Sequence, residues 1–210
     1  MSGRLITLEG GEGAGKSTLL AGLREHFARS GLDVVYTREP GGTPVGEAVR
    51  ALVLDPAHSG VAAETELLLM FAARAQLVRD VLRPALAAGR WVLCDRLTDA
   101  SYAYQGGGRG VDTARIAELE CIATAGLKPD LTLLLDLPVA DGRARASQRG
   151  GADRIEVEYD DFFERVRATY HARAQAEPTR FRVIDATLPA ADVLAAAVAA
   201  IEALRAGGPA

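Results

Sequence analysis

A chain of 210 residues, 49% apolar and 25% charged, can build one α/β core with at most a small insertion beside it. Its formal net charge of −4 argues against a wholesale polyanion binder, and no run of 18 or more uninterrupted apolar residues could span a bilayer. Neither nucleic acid nor membrane is an expected partner.

Only Lys16 and Lys128 among the 24 basic residues are lysines, so local positive charge is almost wholly guanidinium, which suits bidentate phosphate contacts. Cys94 and Cys121 lack metal-ligand spacing. Residues 1–6 lead straight into a strand-like run and lack the apolar core and cleavage site of a signal peptide, which predicts a cytoplasmic protein.

In chain order, apolar β-branched runs occur at residues 5–8, 34–36, 91–94, 131–135 and 181–184. Helix-compatible spacing fills residues 16–29, 46–54, 64–86, 113–125, 139–148, 159–176 and 190–204. This alternation predicts an α/β fold with a five-stranded parallel sheet flanked by about seven helices. Residues 149–153, RGGAD, break two helical stretches with an arginine-flanked turn that reads as a small lid. No repeat or domain boundary interrupts the chain, so residues 1–210 are read as one domain.

Directly after the first strand comes Gly10, Gly11, Glu12, Gly13, Ala14, Gly15, Lys16, Ser17 and Thr18, a G-x-x-x-x-G-K-[ST] loop in its strand–loop–helix setting. Glycines let successive N–H groups aim at one point, and the helix that follows adds its positive end. Lys16 is expected to bridge the β and γ phosphates of ATP, and the Ser17 hydroxyl to ligate Mg²⁺. Such a loop serves kinases, GTPases and motors alike. The chain contains no asparagine, which rules out the guanine-reading N-K-x-D motif, and no D-x-x-G sequence follows the loop.

Four stretches together resemble the thymidylate kinase family: LEGGEGAGKST from Leu8, TREPGGT from Thr37, DR at Asp95 and Arg96 followed by SYAYQGGGRG from Ser101, and DRIE from Asp153. The resemblance is to the bacterial form whose lid bears arginines. It implies a P-loop nucleoside triphosphate hydrolase-type three-layer fold and a homodimer. It also implies phosphorylation of dTMP to dTDP with ATP and Mg²⁺, with the phosphate loop at 10–17, an acceptor region at 38–110 and a lid at about 143–156.

By the same resemblance Asp95 organises Mg²⁺ and Arg96 holds the acceptor phosphate, with Leu97 where the family often has an aromatic or histidine. Arg38, Glu39 and Arg50 fall near the acceptor's phosphate and sugar, with a loop ion pair or solvated surface as the bland alternatives. Arg74 is expected to donate to a thymine carbonyl. Met70 and Phe71, four and three residues before it, share its helical face, and either side chain could cover the base. Ser101 and Gln105 resemble base-side hydrogen-bonding residues, Tyr104 the residue that crowds the sugar's 2′ position, and the glycines at 106–108 a pliant loop. Glu12 inside the phosphate loop must point away from ATP and is expected at the acceptor sugar or at magnesium-bound waters. The missing loop cation is then supplied by Arg149 and Arg154 of the lid, with Arg143 and Arg145 as helpers or surface charge. The competing readings are another nucleoside monophosphate or deoxynucleoside kinase, and a partner-binding P-loop ATPase.

Overall fold

A computed structural model describes residues 3–147 and 153–207. Five strands, β1 (Leu5–Gly10), β2 (Val34–Arg38), β3 (Trp91–Asp95), β4 (Leu131–Asp136) and β5 (Phe181–Asp185), pair in the order β2-β3-β1-β4-β5. All four pairings are parallel. Around them lie α1 (Lys16–Ser30), α2 (Pro44–Leu54), α3 (Ala63–Leu77), α4 (Arg83–Ala87), α5 (Thr98–Ser101), α6 (Thr113–Thr124), α7 (Val139–Ser147), α8 (Asp160–Ala176) and α9 (Ala190–Arg205).

The inner strands read as continuous apolar runs because helices bury both faces of the sheet. On one face Ile6, Leu8 and Leu133 pack with Leu19, Leu23 and Phe27 of α1 and Ile201 of α9. On the other, Leu5, Val92 and Cys94 meet Leu77 and Leu82, while Leu134 and Phe181 meet Phe163, Val166 and Tyr170 of α8. Three layers result. The chain leaves β1 between β3 and β4, so the phosphate loop sits at the carboxyl edge where neighbouring connections diverge, the usual place for a ligand in such a sheet.

Some expected boundaries move, each for a local reason. α2 starts at Pro44, because the Thr43 hydroxyl accepts a hydrogen bond from the Gly46 N–H and Pro44 suits the first turn. The helix expected over 64–86 is unbroken in outline but widens into a π-helical stretch at Val78–Leu82. Pro84 follows directly and lacks the N–H that a regular helix would offer to residue 80.

The pliant loop expected at residues 106–108 is not a loop. α5 runs into a π-helical segment, Tyr102–Gly108, packed against α8. A Cβ on Gly107 would lie 2.1 Å from the Thr169 hydroxyl, and one on Gly108 2.4 Å from the Phe162 ring. These glycines serve close approach between helices rather than flexibility.

Candidate active site

β1 feeds directly into the phosphate loop, whose shape depends on missing side chains. Gly10 has φ of +139° and a Cβ there would lie 2.5 Å from the Leu135 carbonyl oxygen. Gly13 has φ of +70°, and its Cβ would fall 2.0 Å from the carbonyl oxygen of Gly142 on α7. The loop is thereby pressed against α7.

Lys16 folds back over this loop, its Nζ donating to the carbonyls of Gly10 at 3.1 Å and Gly11 at 2.9 Å. Burial, reinforced by the charge of Arg96, lowers its pKa to about 8. A cleft of about 660 Å³ opens beside it, walled by residues 12–18 of the loop together with Arg38, Glu39, Arg50, Met70, Asp95, Arg96, Tyr104, Gln105 and Arg145.

Arg96 is the centre of a dense network. Its φ of 69° is unusual for a residue with a Cβ, and four hydrogen bonds hold the guanidinium in place. Nη1 donates to the Gly10 carbonyl at 3.0 Å and the Tyr170 hydroxyl at 3.1 Å; Nη2 donates to Glu12 Oε1 at 2.8 Å and the Tyr104 hydroxyl at 2.9 Å. Tyr104 in turn donates to Glu12 Oε1 at 2.8 Å. Glu12 is therefore drawn to Arg96 and to Tyr104.

Behind Arg96 stands Glu9, wholly buried at the end of β1. Its Oε2 accepts from the Tyr170 hydroxyl at 2.7 Å and its Oε1 from the Leu97 N–H at 2.8 Å. Burial and the nearby Asp99 carboxylate raise its pKa to about 7 against the opposing pull of Arg96.

One wall of the cleft carries Met70 of α3 with Tyr104 and Gln105 of the π-helical segment. Arg74 is completely buried: Nε and Nη2 both lie 2.7 Å from Glu39 Oε2, and Nη2 also donates to the Leu97 carbonyl at 3.1 Å. Glu39, expected at the acceptor's phosphate and sugar, pairs through Oε2 with Arg74, because a buried guanidinium needs a counter-charge, and it also lines the cleft. The two candidates for covering the base separate cleanly. Met70 forms part of the cleft wall, whereas Phe71 is in the core with Leu67 and Tyr102, its ring 4.4 Å from the Arg74 guanidinium.

Among the described residues, five polar atoms of expected site residues are buried without a hydrogen-bond partner: Asp95 Oδ1, Glu39 Oε1, Arg74 Nη1, Ser101 Oγ and Gln105 Oε1. Buried polar atoms are normally satisfied, and three of these residues, Asp95, Glu39 and Gln105, line the cleft, where a bound group could supply the missing partners. Arg38 and Arg50 stand at the rim. Arg38 pairs with Glu47 at 2.9 Å with half its side chain exposed, and Arg50 donates to the Pro40 carbonyl at 3.1 Å.

Of the expected lid arginines only Arg154 falls within the described residues. Arg149 lies outside the described residues. Arg154 does not face the phosphate loop: its guanidinium is buried, with Nε donating to the Val53 carbonyl at 2.7 Å and Nη2 to Glu66 Oε2 at 2.5 Å. The reason is electrostatic, since the fully buried Glu66 carboxylate needs a cation. Arg143 is bound to the Glu158 carbonyl and to Asp160, while Arg145 lines the cleft and donates to the Ala186 carbonyl at 3.0 Å.

Glu9, Glu66 and Tyr170 are absent from the sequence-derived site. A carboxylate at the end of an apolar strand was a usable signal for Glu9. Tyr170 lies 74 residues from its partner Arg96, on a helix with no motif of its own.

A sequence model described as thymidylate kinase matches residues 8–197. A thymidylate kinase of Pseudomonas putida is 61% identical over 190 residues, 89% of each chain. Another from Pseudomonas entomophila is 56% identical over 207 residues, 99% of this chain and 97% of that one. The chain belongs to the thymidylate kinase family. The crystal structure of a thymidylate kinase from Ehrlichia chaffeensis aligns with a TM-score of 0.78 at 29% identity, over 96% of this chain and 99% of that one. The family's fold is thus matched along nearly the whole length, phosphate loop and base-side helices included.

Proposed function

We propose that the cleft transfers the γ-phosphoryl group of ATP to the phosphate of dTMP, giving ADP and dTDP for dTTP synthesis. The observation that carries this reading is that Asp95, Glu39 and Gln105, each with a buried polar atom lacking a partner, line a cleft that begins at a phosphate loop. Arg74 Nη1 is a donor suited to the O4 carbonyl of thymine, and cytosine would present it with an amino donor instead. Met70 covers the base, and Tyr104 with Glu12 bounds the sugar.

The acceptor phosphate is already an anionic nucleophile, so alignment and charge neutralisation carry the chemistry. Lys16 exchanges the Gly10 and Gly11 carbonyls for ATP phosphate oxygens, and Arg96 steers the acceptor phosphate toward them. Magnesium fits the donors present: the Ser17 hydroxyl at the cleft wall and the buried Oδ1 of Asp95 are the hard oxygen ligands such a cation takes. Bound there, it would neutralise charge on the phosphates. A homodimer in the cytoplasm is part of this reading and rests on the family resemblance.

The test follows labelled γ-phosphate with purified protein, ATP and Mg²⁺. Label appearing in dTDP, with ADP released only when dTMP is present, is the expected result. ATP hydrolysis indifferent to the acceptor would replace this reading with that of a P-loop ATPase.

A further inference from the structure

Glu66 is a fully buried carboxylate on α3, one turn before Met70 and two before Arg74, on the stripe that meets the cleft. Three groups converge on it. Arg154 Nη2 donates to Oε2 at 2.5 Å, Arg109 Nη2 lies 3.3 Å from the same oxygen, and the Gln105 amide nitrogen donates to Oε1 at 2.7 Å. Gln105 is 1% exposed; it lines the cleft, and its carbonyl Oε1 is buried without a partner.

A carboxylate between two guanidinium groups is ionised, and an ionised carboxylate only accepts hydrogen bonds. Burial alone would raise the pKa of Glu66, yet the hydrogen bonds from Gln105 and Arg154 and the charge of Arg109 hold it below the ordinary range. The Gln105 NH₂ must then face Glu66, and the carbonyl must face the other way.

We propose that Glu66 is a specificity-determining positioning residue: it locks the Gln105 amide with its carbonyl toward the base, so that the cleft demands a donor such as the N3–H of thymine. This rests on the dTMP reading above and deepens it. An inverted amide would offer NH₂ to the same spot, where the unprotonated N3 of cytosine is an acceptor. Arg154, tied by its own N–H to the Leu54 carbonyl at 3.0 Å, keeps Glu66 in the acceptor-only state.

The experiment compares kcat/KM for dTMP, dCMP and dUMP in Gln105→Met, Glu66→Gln and the double variant. Glu66→Gln supplies an amide that can donate to an inverted Gln105. Each single variant is expected to lower the dTMP:dCMP ratio about tenfold, the weight of one discriminating hydrogen bond. The double variant is expected to lower it no further than Gln105→Met alone. The dTMP:dUMP ratio should stay within about twofold, because uracil carries the same N3–H; a merely structural role would lower all three rates and leave both ratios unmoved. If Glu66→Gln does not fold, Glu66→Asp, which keeps the charge but withdraws it by one methylene, is expected to lower the dTMP:dCMP ratio likewise. A ratio that falls in Gln105→Met but not in either Glu66 variant overturns the proposal and leaves the dTMP reading standing. A ratio unchanged in Gln105→Met removes Gln105 as a base reader and the proposal with it. Failure of the parent enzyme to use dTMP would instead overturn the function itself.

Discussion

Two buried titratable groups beside the phosphate loop give opposite responses to pH. Lys16 titrates at about 8 in the fold and at 10.5 in its unperturbed state, because burial and Arg96 penalise its charge. Between these values the unfolded chain binds more protons, so this contribution to stability is present above 10.5 and is lost as pH falls through about 8. Phosphate binding needs the charged form. ATP affinity measured by calorimetry is therefore expected to fall toward tenfold per unit as pH rises above about 8, and an affinity flat to pH 9.5 would contradict the assignment. Glu9 runs the other way: its pKa is 4.5 unperturbed and about 7 in the fold, so its contribution is fully present below 4.5 and lost as pH rises through about 7. Denaturant midpoints across pH 5–8 should lose that downward slope in Glu9→Gln, which is neutral throughout. The loop lysine was legible in the sequence because its motif has a local chemistry, whereas Asp95, Arg96 and Arg74 were singled out through the family resemblance. Glu9, Glu66 and Tyr170 were not, since their significance comes from partners up to 161 residues away.

At the scale of elements, the phosphate loop and α7 are a matched pair. A Cβ on Gly142 would lie 2.4 Å from the Glu12 carbonyl oxygen, just as one on Gly13 would meet Gly142. Backbone, not a yielding side chain, is the obstacle in both cases. Gly142→Ala is expected to keep the fold, since alanine suits a helix, but to displace the loop and lower kcat by about 10- to 100-fold, the usual cost of a misplacement near 1 Å. Steady-state kinetics with an unchanged circular dichroism spectrum would establish this; full activity would show that the contact yields freely. The strands were readable because buried parallel strands are apolar along their whole length, as β1 and β4 are. The helical segment at residues 102–108 was misread because glycine runs usually signal flexibility, and only the packing of Phe162 and Thr169 reveals that these glycines make room. Arg154 was expected at the transferred phosphate because it flanks a glycine-rich turn; its pairing with Glu66, 88 residues away, is visible only once the buried acid is located.

Across the whole molecule, the sheet brings three distant segments to one edge: the phosphate loop after β1, Asp95 and Arg96 after β3, and the base-side residues of α3. The strand order β2-β3-β1-β4-β5 makes the first two neighbours. α8 adds Tyr170 from beneath, so the acceptor site is stiffened by a helix 74 residues beyond Arg96. The central claim is that this edge reads thymine through buried groups left unpaired by the protein itself. A site built to pair with specific donors and acceptors rejects a ligand that mismatches them by about 10⁴–10⁵-fold, far more than a shape-only pocket achieves. The direct measurement is the ratio of kcat/KM for dTMP to that for dCMP at saturating ATP and Mg²⁺. A ratio of about 10³ or more is predicted; a ratio near one would contradict the account.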